Sequence, residues 1–243
     1  MAPYDFAAPR LFVDAALAAG AEVALDAPQA NYLRNVLRLG AGEAILVFNG
    51  RDGEWRAVLA AVDRRRTTLV VEERLRLQTE PGDLWYLFAP LKHARLDYMV
   101  QKAVEMGVSR LMPVLTRRTQ VSRVNLDRMR ANAIEAAEQC GILNIPEIAP
   151  PDPLAAALAA WPAGRRLVFC DEGAPIADPL AALRPLRGPP LAVLIGPEGG
   201  FDEAERAALA DLPGAVTLSL GPRILRADTA AVAALALVQA ACG

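Results

Sequence analysis

The stretch 191–230, LAVLIGPEGGFDEAERAALADLPGAVTLSLGPRILRADTA, constrains the fold more than any other part of the chain. Its first five residues, Leu191 to Ile195, are all apolar, which predicts a strand buried on both faces. Gly196-Pro197-Glu198-Gly199-Gly200 cannot continue a regular element, so the strand ends there. Asp202, with Glu205 three residues on, forms a capping-box pair and predicts a helix over 203–212. A second strand is expected over 216–220, stopped by Gly221-Pro222. A last, apolar helix starts between Arg226 and Thr229. Two strands thus end in two glycine-proline loops on one side of a sheet. Ligands of open α/β sheets bind outside the carboxyl ends of the strands. Glycine lets a backbone approach a ligand closely, and proline holds that backbone rigid. Tight turns alone are the structural alternative. Two such loops with Glu198 and Arg226 beside them favour a site.

The preceding residues supply the same alternation. Strands are expected over 84–89, 111–115 and 167–169, and helices over 95–106, 125–139, 154–160 and 180–183. This βαβα order means a parallel sheet covered by helices. Earlier still, short apolar runs at 9–13, 44–48, 54–62 and 67–72, an Asn49-Gly50 hairpin turn and one helix over 31–39 predict a small β-barrel. Residues 78–83, with Pro81-Gly82, read as a linker. The expected organisation is therefore a barrel domain over 1–77 and an α/β domain over 78–243.

Composition narrows the chemistry. The 243 residues carry a net charge of −2, so RNA binding, if present, rests on local arginine patches and not on overall charge. The candidates include Arg10, Arg34, Arg38, Arg51 and the run Arg64-Arg65-Arg66. Cys140, Cys170 and Cys242 are widely spaced and odd in number, which fits neither a zinc site nor a disulfide framework and points to a reducing cytoplasm. His93 is the single histidine, so neither a Ser-His-Asp nor a Cys-His mechanism finds its residues, and no metal is expected. No GxGxxG follows an early strand, and no GxxxxGK[ST] occurs. No apolar run is long enough to cross a bilayer and no leader pattern opens the chain, so a soluble cytoplasmic protein without a membrane partner is expected.

IGPEGGFDEAE followed by LGPRILRADTA resembles the C-terminal signature of the RsmE-type ribosomal RNA methyltransferases of the SPOUT superfamily. PRLFV with LRNVLRLGAGE, LDYMVQKAVEMGV, PVLTRRTQVS and AAEQCGILNIPEI extend the likeness over nearly the whole chain. The resemblance implies a fold: an N-terminal PUA-like β-barrel plus a C-terminal SPOUT α/β domain with a trefoil knot. It implies S-adenosylmethionine as cofactor, held by backbone groups around Leu194, Ile195, Gly196, Gly200, Leu220, Gly221, Ile224 and Leu225, with Glu198 in the same site. It implies methylation of N3 of one uridine in 16S ribosomal RNA of the small ribosomal subunit, by a homodimer built on the C-terminal domain. Arg226 is then the catalytic arginine, with Arg223 the alternative and Asp228 beside it where relatives carry glutamate. Arg10 and Arg38 of the barrel, and Arg117 and Arg118 of the PVLTRRTQVS loop, are implied RNA contacts. Ile142 and Leu143 stand where many relatives have an arginine, so no contact is carried over there. From another class, a non-catalytic RNA-binding ribosome-assembly factor is the alternative. Retention of both glycine-proline loops weighs against it.

Overall fold

Alternating apolar residues build the first sheet. Its elements are β1 (Arg10–Phe12), β2 (Glu22–Ala24), helix α1 (Ala27–Asn31), β3 (Ala44–Phe48), β4 (Glu54–Val62) and β5 (Thr67–Arg76). The strands lie in the order β1-β3-β4-β5-β2, with β1 parallel to β3 and the other pairs antiparallel. The computed structural model describes residues 8–62, 67–92, 94–121, 123–175 and 178–243. Arg64 to Arg66 and His93 lie outside the described residues. Leu33, Ile45, Val47, Ala57, Leu59, Leu69 and Val71 form the core of this unit.

The expected helix over 31–39 begins earlier. Asp26 caps α1 with a complete capping box, accepting from Gln29 N–H while the Gln29 side chain accepts from Asp26 N–H. A π-helical turn follows over Tyr32–Val36. Arg38 closes it in the left-handed region at φ 59°, and Leu39 N–H reaches back to Leu33 O at 2.9 Å. Glycine is the usual residue for that conformation.

Arg10 departs from its expected RNA contact. It is 6% exposed, and its Nε donates to Glu54 Oε1 at 3.1 Å. Glu54, 1% exposed, also receives two bonds from Arg76, at 2.8 and 2.9 Å. A guanidinium buried against a buried carboxylate cannot present itself to a phosphate. Arg10 is a structural residue.

The second unit contains β6 (Leu84–Phe88), α2 (Ala94–Glu105), β7 (Arg110–Leu115), α3 (Leu126–Cys140), β8 (Glu147–Ile148), β9 (Asp152–Pro153), α4 (Leu154–Ala159), β10 (Arg166–Cys170), α5 (Pro179–Leu183), β11 (Leu191–Ile195), α6 (Glu203–Ala210), β12 (Val216–Leu218) and α7 (Ala227–Cys242). Seven strands form one sheet in the order β12-β10-β11-β6-β7-β8, with β9 beside β7, and every pairing is parallel. Parallel strands need covering helices on both faces, which is why β6, β10 and β11 are apolar runs without alternation. Trp85 of β6 lies between Arg165 and Arg110, whose guanidinium carbons stand 3.7 and 4.6 Å from its ring centre.

The compact units are Met1–Glu80 with Ile134–Ile145, and Pro81–Ala133 with Pro146–Gly243. The end of α3 and the segment after it therefore pack with the first sheet, which no cut after residue 77 anticipates. The bonds responsible are Glu138 Oε1 accepting from Phe12 N–H at 2.8 Å, and Gly141 O accepting from Arg76 at 2.8 Å. Burial pushes the Glu138 carboxyl from 4.5 up to about 7, with nearby Glu135 adding to the shift and the Phe12 bond opposing it.

The folded state therefore takes up a proton that the unfolded chain lacks between pH 4.5 and about 7, and stability falls as pH rises across that window. Glutamine keeps an oxygen for Phe12 without a charge. Glu138→Gln is expected to raise unfolding free energy near pH 8 by about 1–2 kcal/mol, after discounting for the carboxylate's partial exposure. It should leave stability unchanged below about pH 4.5. Urea unfolding at the two pH values measures this; equal shifts at both would remove Glu138 as the titrating group.

Candidate functional site

Three strands end level. In the parallel ladders Cys170 stands opposite both Ile195 and Leu218, and each is the last residue of its strand. The loops leaving β10, β11 and β12 therefore start from one edge of the sheet, as a ligand site of an open α/β sheet requires. Between them lies a cavity of about 270 Å³. Cys170, Ile195 and Leu218 line its base, with the loop after β11 on one side and residues 219–227 on the other.

The first loop is shaped by Phe201. A Cβ on Gly196 would sit 2.8 Å from Phe201 Cζ, so the ring occupies the space where a side chain would be. Phe201 is 1% exposed and meets Phe169 edge-on at 6.4 Å. Gly200 takes φ 69°, and its N–H bonds to Pro197 O at 2.8 Å, closing the turn. The predicted capping box is present: Glu205 N–H donates to Asp202 Oδ1 at 2.8 Å, and Asp202 N–H donates to Glu205 Oε2 at 2.9 Å. The other Glu205 oxygen accepts from Arg117 N–H at 2.7 Å. α6 returns Arg206 to Asp171, bonded at 2.8 and 3.2 Å, and that carboxylate raises the arginine's pKa.

Of the sequence-predicted residues, the cavity gathers Ile195, Gly196, Glu198, Gly200, Leu220, Gly221, Ile224, Leu225, Arg226 and Arg223. Leu194 is not among them. Its side chain is fully buried in the apolar cluster with Leu87, Phe169 and Phe201, because adjacent residues of a strand face opposite ways. Arg226 is the N-cap of α7, exposed, with no side-chain cap and no ion pair among the described residues. Asp228 is half-buried in the first turn, lies off the cavity lining, and accepts from Thr229 N–H at 2.9 Å. It does not reach Arg226.

Arg38 is exposed and makes no ion pair among the described residues. Arg117 is exposed, 3.8 Å from Asp202, and Arg118 donates to Gly199 O at 2.7 Å.

Sequence reasoning missed Cys170, Asp171, Glu172, Phe201 and Ser219, all in the lining. Burial pushes the Cys170 thiol up to about 12, so it stays protonated and is no nucleophile. Among the described residues no helix is long and apolar enough to cross a membrane, and no group of histidine, cysteine and carboxylates has the arrangement of a metal site.

On its far side the first loop borders a second cavity of about 430 Å³, lined by Lys92, Arg95, Arg118 and Gln120 among others. Glu198 lines both cavities and is ion-paired with Arg95.

The chain matches an RNA methyltransferase domain family over residues 78–239 and an RNA methyltransferase PUA domain family over 25–72. It is 33% identical to the ribosomal RNA small subunit methyltransferase E of Synechocystis sp., across 90% of this chain and 73% of that protein. It is 28% identical to the protein of the same name from Rickettsia conorii, across 95% of this chain and 94% of the relative. The crystal structure of a ribosomal RNA small subunit methyltransferase E from Neisseria gonorrhoeae, bound to S-adenosyl methionine, matches with a TM-score of 0.87 at 28% identity, covering 97% of this chain and 98% of that one.

The Gly196–Phe201 contact can be tested on the folded protein alone. Gly196→Val forces branched carbons into a filled space, an overpacking that costs about 1–3 kcal/mol. Its Tm is expected to fall by several degrees in a thermal melt. An unchanged Tm would mean the ring yields freely and does not shape the loop.

Proposed function

The chain belongs to the ribosomal RNA small subunit methyltransferase E family, and from that premise we propose that it transfers the methyl group of S-adenosylmethionine to N3 of one uridine in 16S ribosomal RNA of the small ribosomal subunit. The observation that carries this reading is the level ending of β10, β11 and β12, with Arg226 lining the cavity that opens there.

The cavity suits the cofactor by its chemistry. Ile195, Phe201, Leu218 and Leu225 offer an apolar wall for a flat base. Asp171, Glu172, Glu198 and Ser219 offer oxygens for hydroxyl and amino groups, and the backbone of Gly196, Gly200 and Gly221 is accessible between them. Apolar walls with a few placed polar groups are the usual make-up of such a site. Bound S-adenosylmethionine supplies a methyl group already activated on a sulfonium.

The chain's own task is alignment and charge stabilisation. The uracil N3 carries a proton that must leave to solvent before the methyl arrives, and until the N–C bond forms the deprotonated ring carries negative charge spread onto its two carbonyl oxygens. The Arg226 guanidinium stays charged, and its planar fork matches the edge of such a ring. Arg223, also in the lining, is the second candidate. Asp228, bonded to the first turn, serves by positioning the start of α7 and with it Arg226.

We assign RNA binding to a PUA-like domain over 1–77, and cofactor binding, the trefoil knot and dimerisation to a SPOUT domain over 78–243, apart from residues 134–145, which belong to the compact unit of the first sheet. In support of an RNA role, Arg38 keeps an arginine where the backbone favours glycine, and Arg117 and Arg118 flank the first loop. In support of a homodimer, α7 buries Ala227, Ala231, Ala234, Leu235 and Val238 within the chain while Val232, Ala233, Ala236 and Leu237 remain partly exposed on its other faces. The reaction takes place where small subunits are assembled, in the cytoplasm.

The test uses small subunits from cells lacking this protein, with the modified base mapped after incubation with protein and cofactor. Methylation of the uridine supports the assignment; methylation elsewhere refutes it. Losing a preorganised charge donor costs about 10²–10³ in rate. Arg226→Ala is expected to lose that much turnover while calorimetric cofactor affinity changes several-fold at most. A near wild-type rate transfers the role to Arg223. Gly196→Val is expected to lose cofactor binding altogether.

A further inference from the structure

The second cavity has no part in the chemistry above. Among the described residues three cations, Lys92, Arg95 and Arg118, line it against one carboxylate, Glu198. They come from separate segments: the turn after β6, the start of α2, and the loop after β7. The Lys92 side chain is exposed, with no ion pair or hydrogen bond among the described residues. Arg118 lies along Gly199, whose added Cβ would stand 3.4 Å from Arg118 Cδ, and donates one Nη1 bond at 2.7 Å to Gly199 O. That bond leaves most of its donors free to meet an anion.

Arg95 holds Glu198, but both side chains are partly exposed, at 37% and 50%. An ion pair so open to water is weak and is readily exchanged for a better anion. A phosphate is such an anion, because its oxygens accept the guanidinium fork in parallel bonds.

We infer that this cavity binds a phosphodiester of the substrate RNA strand, with Lys92, Arg95 and Arg118 as its ligands, and that Glu198 occupies Arg95 as the anion the phosphate displaces. The inference rests on the methyltransferase reading and names where that substrate is gripped. Glu198 lines both cavities, so the gripped phosphate lies across a single loop from the cofactor cavity. Contacts to phosphate fix the strand's position without reading its sequence. With a net charge of −2 the chain needs such a concentrated cationic site to hold RNA at all.

The sign of two variants decides it. The intact protein, without cofactor, is titrated with small ribosomal subunits carrying the unmethylated target, at several salt concentrations. Arg95→Ala is expected to weaken binding about 10-fold and to reduce the slope of log affinity against log salt by about 1. Glu198→Gln removes the competing carboxylate and is expected to tighten binding about 3-fold. Lys92→Ala, which breaks no ion pair, is expected to weaken binding like Arg95→Ala. If Arg95→Ala and Glu198→Gln move affinity in the same direction, or neither moves it, the pair is structural and the inference fails. If millimolar inorganic phosphate binds wild type and not Arg95→Ala while subunit binding is indifferent to Arg95, the site takes free anions and the RNA assignment is overturned. Calorimetric cofactor affinity of Arg95→Ala near the wild-type value shows that the fold is intact. Opposite shifts by the two variants, in a protein that methylates nothing, would uphold the phosphate site and refute the methyltransferase reading instead.

Discussion

Phe201 rests on the bare backbone of Gly196, and the candidate site depends on that contact. A β-carbon at residue 196 would overlap the ring, so glycine is required there for packing and not for its dihedral angle. The contact folds the first loop back over the end of β11 and sets where α6 begins. From there the capping box of Asp202 and Glu205 fixes the helix, and the helix delivers Arg206 to Asp171 at the end of β10. One close approach thus ties the outgoing loops of two neighbouring strands together. The cavity keeps its shape on that side because these two walls are bonded to each other.

Arginine plays three physical roles in this chain, and burial decides which. Arg10 is enclosed with Glu54, and the pair is completed by Arg76. Breaking a buried pair by removing one partner leaves an uncompensated charge and costs about 3–5 kcal/mol, which makes Arg10 part of the framework. Arg165, also buried, lies over Trp85 and bonds Asp83 and Leu191 O, so its charge is met by a ring face, a carboxylate and a carbonyl. Arg38, Arg117 and Arg226 stand in solvent and keep donors for a ligand.

The sequence made legible whatever local chemistry controls. β11 is legible residue for residue because an unbroken apolar run meets Gly-Pro, and the start of α6 because its caps are side chains three residues apart, although the helix stops at Ala210 and not at 212. Strand order is not local. Nothing in residues 166–172 announces that β10 inserts between β11 and β12, so the Cys170-Asp171-Glu172 wall could not be read in advance. Arg10 misled for the same reason: its partner Glu54 is distant in sequence, and an arginine inside an apolar run looks alike whether it faces water or a buried carboxylate. Leu194 turns its side chain into the core by the two-residue period of the strand, which bears on its side chain and not on the backbone contact expected there. The helix end at Glu138 and the segment to Ile145 packed with the first sheet through bonds to Phe12 and Arg76, which a composition-based linker at 78–83 cannot foresee.

Arg226 presents a quantitative difficulty whose resolution reaches beyond a single chain. Two unit charges about 4 Å apart attract by about 1 kcal/mol in water and about 4 kcal/mol near a partly covered protein surface. An arginine as exposed as Arg226 is in the first regime, and about 1 kcal/mol is too little to account for a rate effect of 10²–10³. The missing stabilisation requires that water be excluded from the cavity mouth when the reaction occurs. Ile224, 86% exposed on the same loop, is an apolar side chain with nothing to cover it among the described residues, and the outer face of α7 adds Val232 and Leu237 nearby in sequence. Scattered exposed apolar residues need no explanation, but here they flank the one cation whose strength depends on being covered. The substrate strand and the proposed second copy of this chain are the two bodies able to provide that cover. On this argument the arginine reaches full catalytic strength only in the assembled complex.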